Sequence, residues 1–94
     1  MDVTIYTKKD CDRCKAMKEF LNKYDISYTE KDIMNPEVGS ELVKNDYITE
    51  HFCDENECIV ITPVINIDGK WMYKEFFGIN GFAEYRAKRF FNIG

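Results

Sequence analysis

The hydrophobic and polar positions along the chain change period several times, and each change marks an element. Val3, Ile5 and Tyr6 have the β-branched and aromatic character of a buried strand. Lys8 to Asp10 make a polar turn, after which Cys14, Met17, Phe20, Leu21 and Tyr24 recur at steps of three and four. Lys15, Lys18, Glu19, Asn22 and Lys23 fill the other face, so this is an amphipathic helix with Asp10 expected as its N-cap. Ile26, Tyr28 and Ile33 mark a second strand over about Ser27 to Asp32. Strand, helix and strand within so short a span form a βαβ unit, which predicts parallel strands joined by a right-handed crossover. Asn35-Pro36 reads as a cap and a first-turn proline. They open a second helix through Val38, Leu42 and Val43 toward Tyr47 and Ile48, with Gly39 weakening its regularity.

Glu50 to Cys58 is polar and reads as a loop. Ile59 to Ile67 is the most strand-like run, interrupted by Pro63, and Asp68-Gly69 ends it with a hairpin signal. A proline within a strand belongs at an edge, at a bulge or in a cis bond. Trp71, Tyr73, Phe76 and Phe77 form the expected return strand. Asn80 or Gly81 then caps a last amphipathic helix whose aromatic residues, Phe82, Tyr85 and Phe90, are expected in the core.

Composition narrows the class. With 94 residues, 45% of them hydrophobic, the chain is expected to be one domain over residues 1–94 and a monomer. The charged fraction of 32% is mixed in sign and the net charge is only −4, which gives no nucleic-acid footprint. No signal peptide is read in the charged first twenty residues, and no run approaches a membrane span, so the expected compartment is the cytoplasm. Four cysteines in that reducing setting point to catalysis or metal binding more than to structural disulfides.

Cys11 and Cys14 carry the candidate chemistry. Between a strand and a helix, the C-x-x-C spacing puts two sulfurs on one face across one turn, where they can form a disulfide. The free N–H groups and positive dipole end of the helix favour a thiolate at Cys11, as do Lys8, Lys9, Arg13 and Lys15, whereas Asp10 and Asp12 oppose it. The thiolate is the nucleophile, so Cys11 attacks and Cys14 resolves. A zinc knuckle would need a second ligand pair about 12 to 20 residues away, and the next cysteine, Cys53, lies well beyond that. Cys53 and Cys58 are close enough to each other for a second redox pair or a small disulfide. His51 beside them reads as a surface residue.

The order β-α-β-α-β-β-α, the C-x-x-C between the first strand and first helix, Lys8 upstream of it, Thr62-Pro63 and the Asp68-Gly69 hairpin together resemble the glutaredoxin branch of the thioredoxin fold. That resemblance implies an α/β fold with a four-stranded mixed sheet and helices on both faces. It also implies that Pro63 is cis and lies against the active-site sulfurs. The backbone of Thr62 would pair with the peptide part of a bound thiol substrate, and Lys8 would meet a substrate carboxylate. The family's usual Pro-Tyr between the cysteines is Asp12-Arg13 here, and Arg13 takes the expected carboxylate contact. Its Thr-Val-Pro is Ile61-Thr62-Pro63. The implied activity is reduction of protein or small-molecule disulfides. No cofactor is held permanently, and glutathione or a thioredoxin reductase-type partner serves as reductant. Two other classes stay open: a metal-binding module using Cys11, Cys14, Cys53 and Cys58, and a non-catalytic binding protein that keeps the fold.

Overall fold

The computed structural model of the chain describes residues 1–52, 62–79 and 81–93. Strand β1 (Val3–Thr7) leads into helix α1 (Asp12–Lys23) and strand β2 (Thr29–Asp32). Two short helices follow, α2 (Pro36–Val43) and α3 (Asp46–His51), and then strands β3 (Val64–Ile67) and β4 (Lys70–Met72). A small ribbon, β5 (Phe77–Gly78) with β6 (Gly81–Phe82), precedes the last helix α4 (Glu84–Phe90). The sheet runs β2-β1-β3-β4. β1 and β2 are parallel, with Thr4 opposite Thr29 and Thr7 opposite Asp32. β3 is antiparallel to β1, with Tyr6 opposite Val64, and antiparallel to β4.

Alternation along the strands divides the core into two layers. Val3, Ile5, Ile65, Ile67 and Met72 meet Met17, Phe20 and Leu21 of α1 and Ala87 of α4. On the other face Tyr6 and Val64 meet Leu42, Ile48 and Phe52. The expected mixed sheet with helices on both faces is what forms. Each fully buried side chain contributes about 1.5–3 kcal/mol, so Met17, Phe20 and Leu21 together anchor α1, and with it the C-x-x-C segment, to the sheet. The hairpin signal is also met. Asp68 (φ 53°) and Gly69 (φ 88°) form the two-residue turn between Ile67 and Lys70, and the Asn66 side chain accepts from the Gly69 N–H at 3.0 Å.

Several boundaries differ from the sequence reading, each for a local reason. The second helix is two helices, because Asn45 turns extended (φ −89°, ψ 121°) and its side chain accepts from the Tyr47 N–H at 2.9 Å, capping a new start. That start carries Glu50 and His51, assigned above to a loop, into α3. The return strand stops at Met72. The N–H groups of Phe76 and Phe77 both turn back to the Tyr73 carbonyl, so Phe77 joins β5 instead. Helix α4 has Ala83 as its N-cap, with no side-chain capping bond, because Gly81 is taken up by β6; Asn80 lies outside the described residues. Ala87 is the residue α4 buries. Tyr85, two positions earlier and so on the opposite side of the helix, is 64% exposed, and Phe90 at the margin of the apolar face is 37% exposed. The expectation that these two rings are core is corrected accordingly.

Candidate functional site

The site forms where β1 ends and α1 begins. After Thr7 the chain turns through Lys8, Lys9 and Asp10, and Asp10 takes a left-handed conformation (φ 60°) that removes it from the capping position. Cys11 is the N-cap instead, extended (φ −107°, ψ 106°), with its Sγ accepting from the Cys14 N–H at 3.1 Å. The expectation of an Asp10 cap is thus corrected, and the correction has chemical content. An orphan N–H of the first turn, at the positive end of the helix dipole, points at the sulfur itself. Cys14 is buried and Cys11 half-buried; their Cα atoms are 5.2 Å apart and the two sulfurs are joined as a disulfide.

The register of β3 against β1 carries the segment before Val64 to the same end of the sheet. The Thr62–Pro63 bond is cis, and both residues are buried. The Thr62 hydroxyl oxygen lies 3.2 Å from Cys11 Sγ and the Thr62 carbonyl oxygen 3.8 Å from it. A disulfide sulfur carries no proton, so in this state the hydroxyl is the donor. Cys11, Cys14, Thr62 and Pro63, expected as site residues, are brought together. Lys8 is exposed and lines a groove of about 750 Å³ together with Cys11 and Cys14.

Arg13, exposed in the first turn of α1, is held by Tyr73, its Nη1 donating to the Tyr73 hydroxyl at 3.1 Å. The Tyr73 ring stacks on Phe77 (centroids 4.9 Å, interplanar 14°) and meets Phe52 edge-on at 6.2 Å. Sequence reasoning assigned Tyr73 to a strand and missed it here; no local signal distinguishes it. A second group was also missed. The buried Thr7 hydroxyl donates to Glu30 Oε2 at 2.7 Å, and Lys18 Nζ reaches the same oxygen at 3.1 Å; all three residues line the groove that Cys11 and Cys14 also line. The Thr7 hydrogen bond, with Lys18 adding to it and against a smaller opposing effect of burial, holds the Glu30 carboxyl below its ordinary range.

His51 is exposed, its ring 4.3 Å from that of Tyr47. Cys53 and Cys58, expected as a second redox pair or as metal ligands, lie outside the described residues. Among the described residues no group of three or more His, Cys, Asp or Glu side chains could hold a metal ion. No helix among them is long and apolar enough to cross a membrane.

The glutaredoxin family model matches residues 3–72, a span that contains both strands of the site, the cysteine pair and Thr62-Pro63. The chain belongs to the glutaredoxin family. Solved structures agree on the fold. A point variant of the thioredoxin-like protein BC3987 superposes with a TM-score of 0.65 at 24% identity, over 98% of this chain and 96% of that one. Glutaredoxin 1 from Francisella tularensis, complexed with cacodylate, gives 0.60 at 22% identity over 98% and 95%. No curated protein matches the chain. In glutaredoxin terms the Cys11–Cys14 pair occupies the C-x-x-C position, while Tyr73, β5, β6 and α4 lie beyond the matched span.

Proposed function

We propose that this glutaredoxin is a dithiol oxidoreductase that reduces protein or small-molecule disulfides, with Cys11 as nucleophile and Cys14 as resolving thiol. The Cys11 thiolate attacks one sulfur of the substrate disulfide; the substrate S–S bond breaks and its other sulfur leaves as a thiolate. Cys14 then gives up its proton and attacks Cys11 Sγ, which expels the second substrate sulfur and leaves the Cys11–Cys14 disulfide. Two thiols of a reductant, glutathione or a dithiol partner, reopen it. The observation that carries this reading is the asymmetry of the pair. Cys11 is half-buried and receives the Cys14 N–H, whereas Cys14 is closed off beneath it.

Substrate positioning follows from the same neighbourhood. Thr62 offers its backbone carbonyl beside the attacking sulfur, and the buried Pro63 follows it in the chain. Lys8, lining the groove, and Arg13, steadied by Tyr73, supply positive charge for a carboxylate near Cys11. The chain works as a monomer in the cytoplasm, where thiols are kept reduced.

The test is hydroxyethyl-disulfide and insulin reduction, driven in parallel by glutathione and by a thioredoxin reductase system. Cys11→Ser is expected to fall to background with every substrate. Cys14→Ser is expected to accumulate a Cys11 mixed disulfide visible by intact mass. Full activity in Cys11→Ser would overturn the assignment.

A further inference from the structure

We infer that the side-chain hydroxyl of Thr62 is a catalytic group in its own right, a hydrogen-bond donor to the Cys11 sulfur that sets how much of it is thiolate. The inference rests on Cys11 being the attacking sulfur, and it goes beyond the backbone role given to Thr62 above. The hydroxyl oxygen is 3.2 Å from Sγ, against 3.8 Å for the carbonyl of the same residue. These two contacts have opposite effects. The carbonyl can only accept, so it favours the protonated thiol. The hydroxyl can donate, so it favours the charged sulfur, and it is the shorter of the two.

Burial gives the contact its weight. Thr62 is only 6% exposed, so water cannot easily take the place of the hydroxyl if it is removed. The Cys14 N–H supplies a second donor at 3.1 Å from the helix. Cys11 thus lies between one backbone donor from α1 and one side-chain donor from the segment preceding β3. A residue with no hydroxyl at position 62 would leave the carbonyl as the remaining Thr62 contact and tilt the balance toward the thiol. A better stabilised thiolate is also a better leaving group when the Cys11–Cys14 disulfide is reduced. The hydroxyl therefore makes the pair more oxidising as well as more reactive.

The experiment compares Thr62→Val, which matches the shape, Thr62→Ala, which removes the hydroxyl by a smaller side chain, and Thr62→Ser, which keeps it. In the full chain, alkylation of reduced protein by iodoacetamide is followed against pH and read on the Cys11 peptide by mass spectrometry. The reduction potential of the Cys11–Cys14 pair is read by equilibration with glutathione. Both hydroxyl-free variants should hold about tenfold less Cys11 thiolate at a given pH below the titration midpoint, as loss of a hydrogen bond to a charged group requires. Their potential should fall by up to about 30 mV, the equivalent of that tenfold change for a two-electron couple. Thr62→Ser should stay near the wild type in both. A pH profile unchanged in Val and Ala, or shifted equally in Ser, would overturn the inference. Because alkylation needs no turnover, a protein inactive in every reductase assay would refute the proposed function and still leave this titration decisive.

Discussion

Replacing Thr7 with valine removes one oxygen from the groove that Cys11 and Cys14 also line and leaves the side-chain shape nearly unchanged. That oxygen donates at 2.7 Å to a carboxylate which also holds Lys18 at 3.1 Å. A hydrogen bond to a charged group contributes about 1.5–3 kcal/mol. The Glu30 side chain, however, is 39% exposed, so water takes over part of the lost contact and about 1 kcal/mol is the expected cost at pH 7. For a domain of this size that lowers Tm by about 4–8 °C. The pH dependence is the sharper test. Thr7 holds the folded Glu30 carboxyl below its ordinary value of 4.5. Such a group stabilises the fold fully above the unfolded value, and that contribution is lost as pH falls through the lower folded value. Urea unfolding of wild type and Thr7→Val, with the disulfide kept in one state, should therefore show the difference in full at pH 7 and a smaller one at pH 3. Equal differences at both pH values would refute the assignment of the Thr7 bond to a charged Glu30.

Two further predictions concern the frame. Phe76→Ala is expected to cost about 3–5 kcal/mol in denaturant unfolding, because Phe76 is fully buried and packs against the rings of both Phe90 (5.2 Å) and Phe91 (5.9 Å). A loss below about 1 kcal/mol would mean that this aromatic cluster does not pack as described. Gly69→Ala is expected to cost about 1–2 kcal/mol, since φ is +88° there although nothing stands within 4 Å of an added Cβ; an unchanged unfolding midpoint would rule out the left-handed turn.

The fold was legible wherever it depends on local pattern. The apolar spacing from Cys14 to Tyr24, the Asn35-Pro36 cap and the Asp68-Gly69 turn each needed only neighbouring residues to read, and each stands where expected. Misreadings came where one local rule displaced another. Asp10 is by residue type a better cap than cysteine, but the left-handed turn at Asp10 hands the position to Cys11. Asn45-Asp46 is a helix start hidden inside an apolar period that continues across it. The apolar run from Trp71 and Tyr73 to Phe77 crosses a turn that no glycine or proline announces. Parts of the site were out of reach for a different reason. Arg13 with Tyr73 and Thr7 with Glu30 join residues from separate elements, and only the tertiary arrangement chooses them.

The distance between the Thr62 hydroxyl and the Cys11 sulfur is itself a product of the core. Cys11 follows from the end of β1 and Thr62 precedes β3, so their separation depends on the register of those two strands, with Ile5 opposite Ile65 and Tyr6 opposite Val64. A slip of one residue would move Thr62 by about 3.3 Å along the strand, beyond hydrogen-bond reach of the sulfur. The same slip would turn Val64 away from Leu42, Ile48 and Phe52, and Ile65 and Ile67 away from Met17, Phe20 and Leu21. Each of these side chains contributes a few kcal/mol only on its own face, so the alternation of β3 makes the slipped register costly. The hydrophobic pattern that builds two core layers thereby fixes which polar atom meets the reactive sulfur.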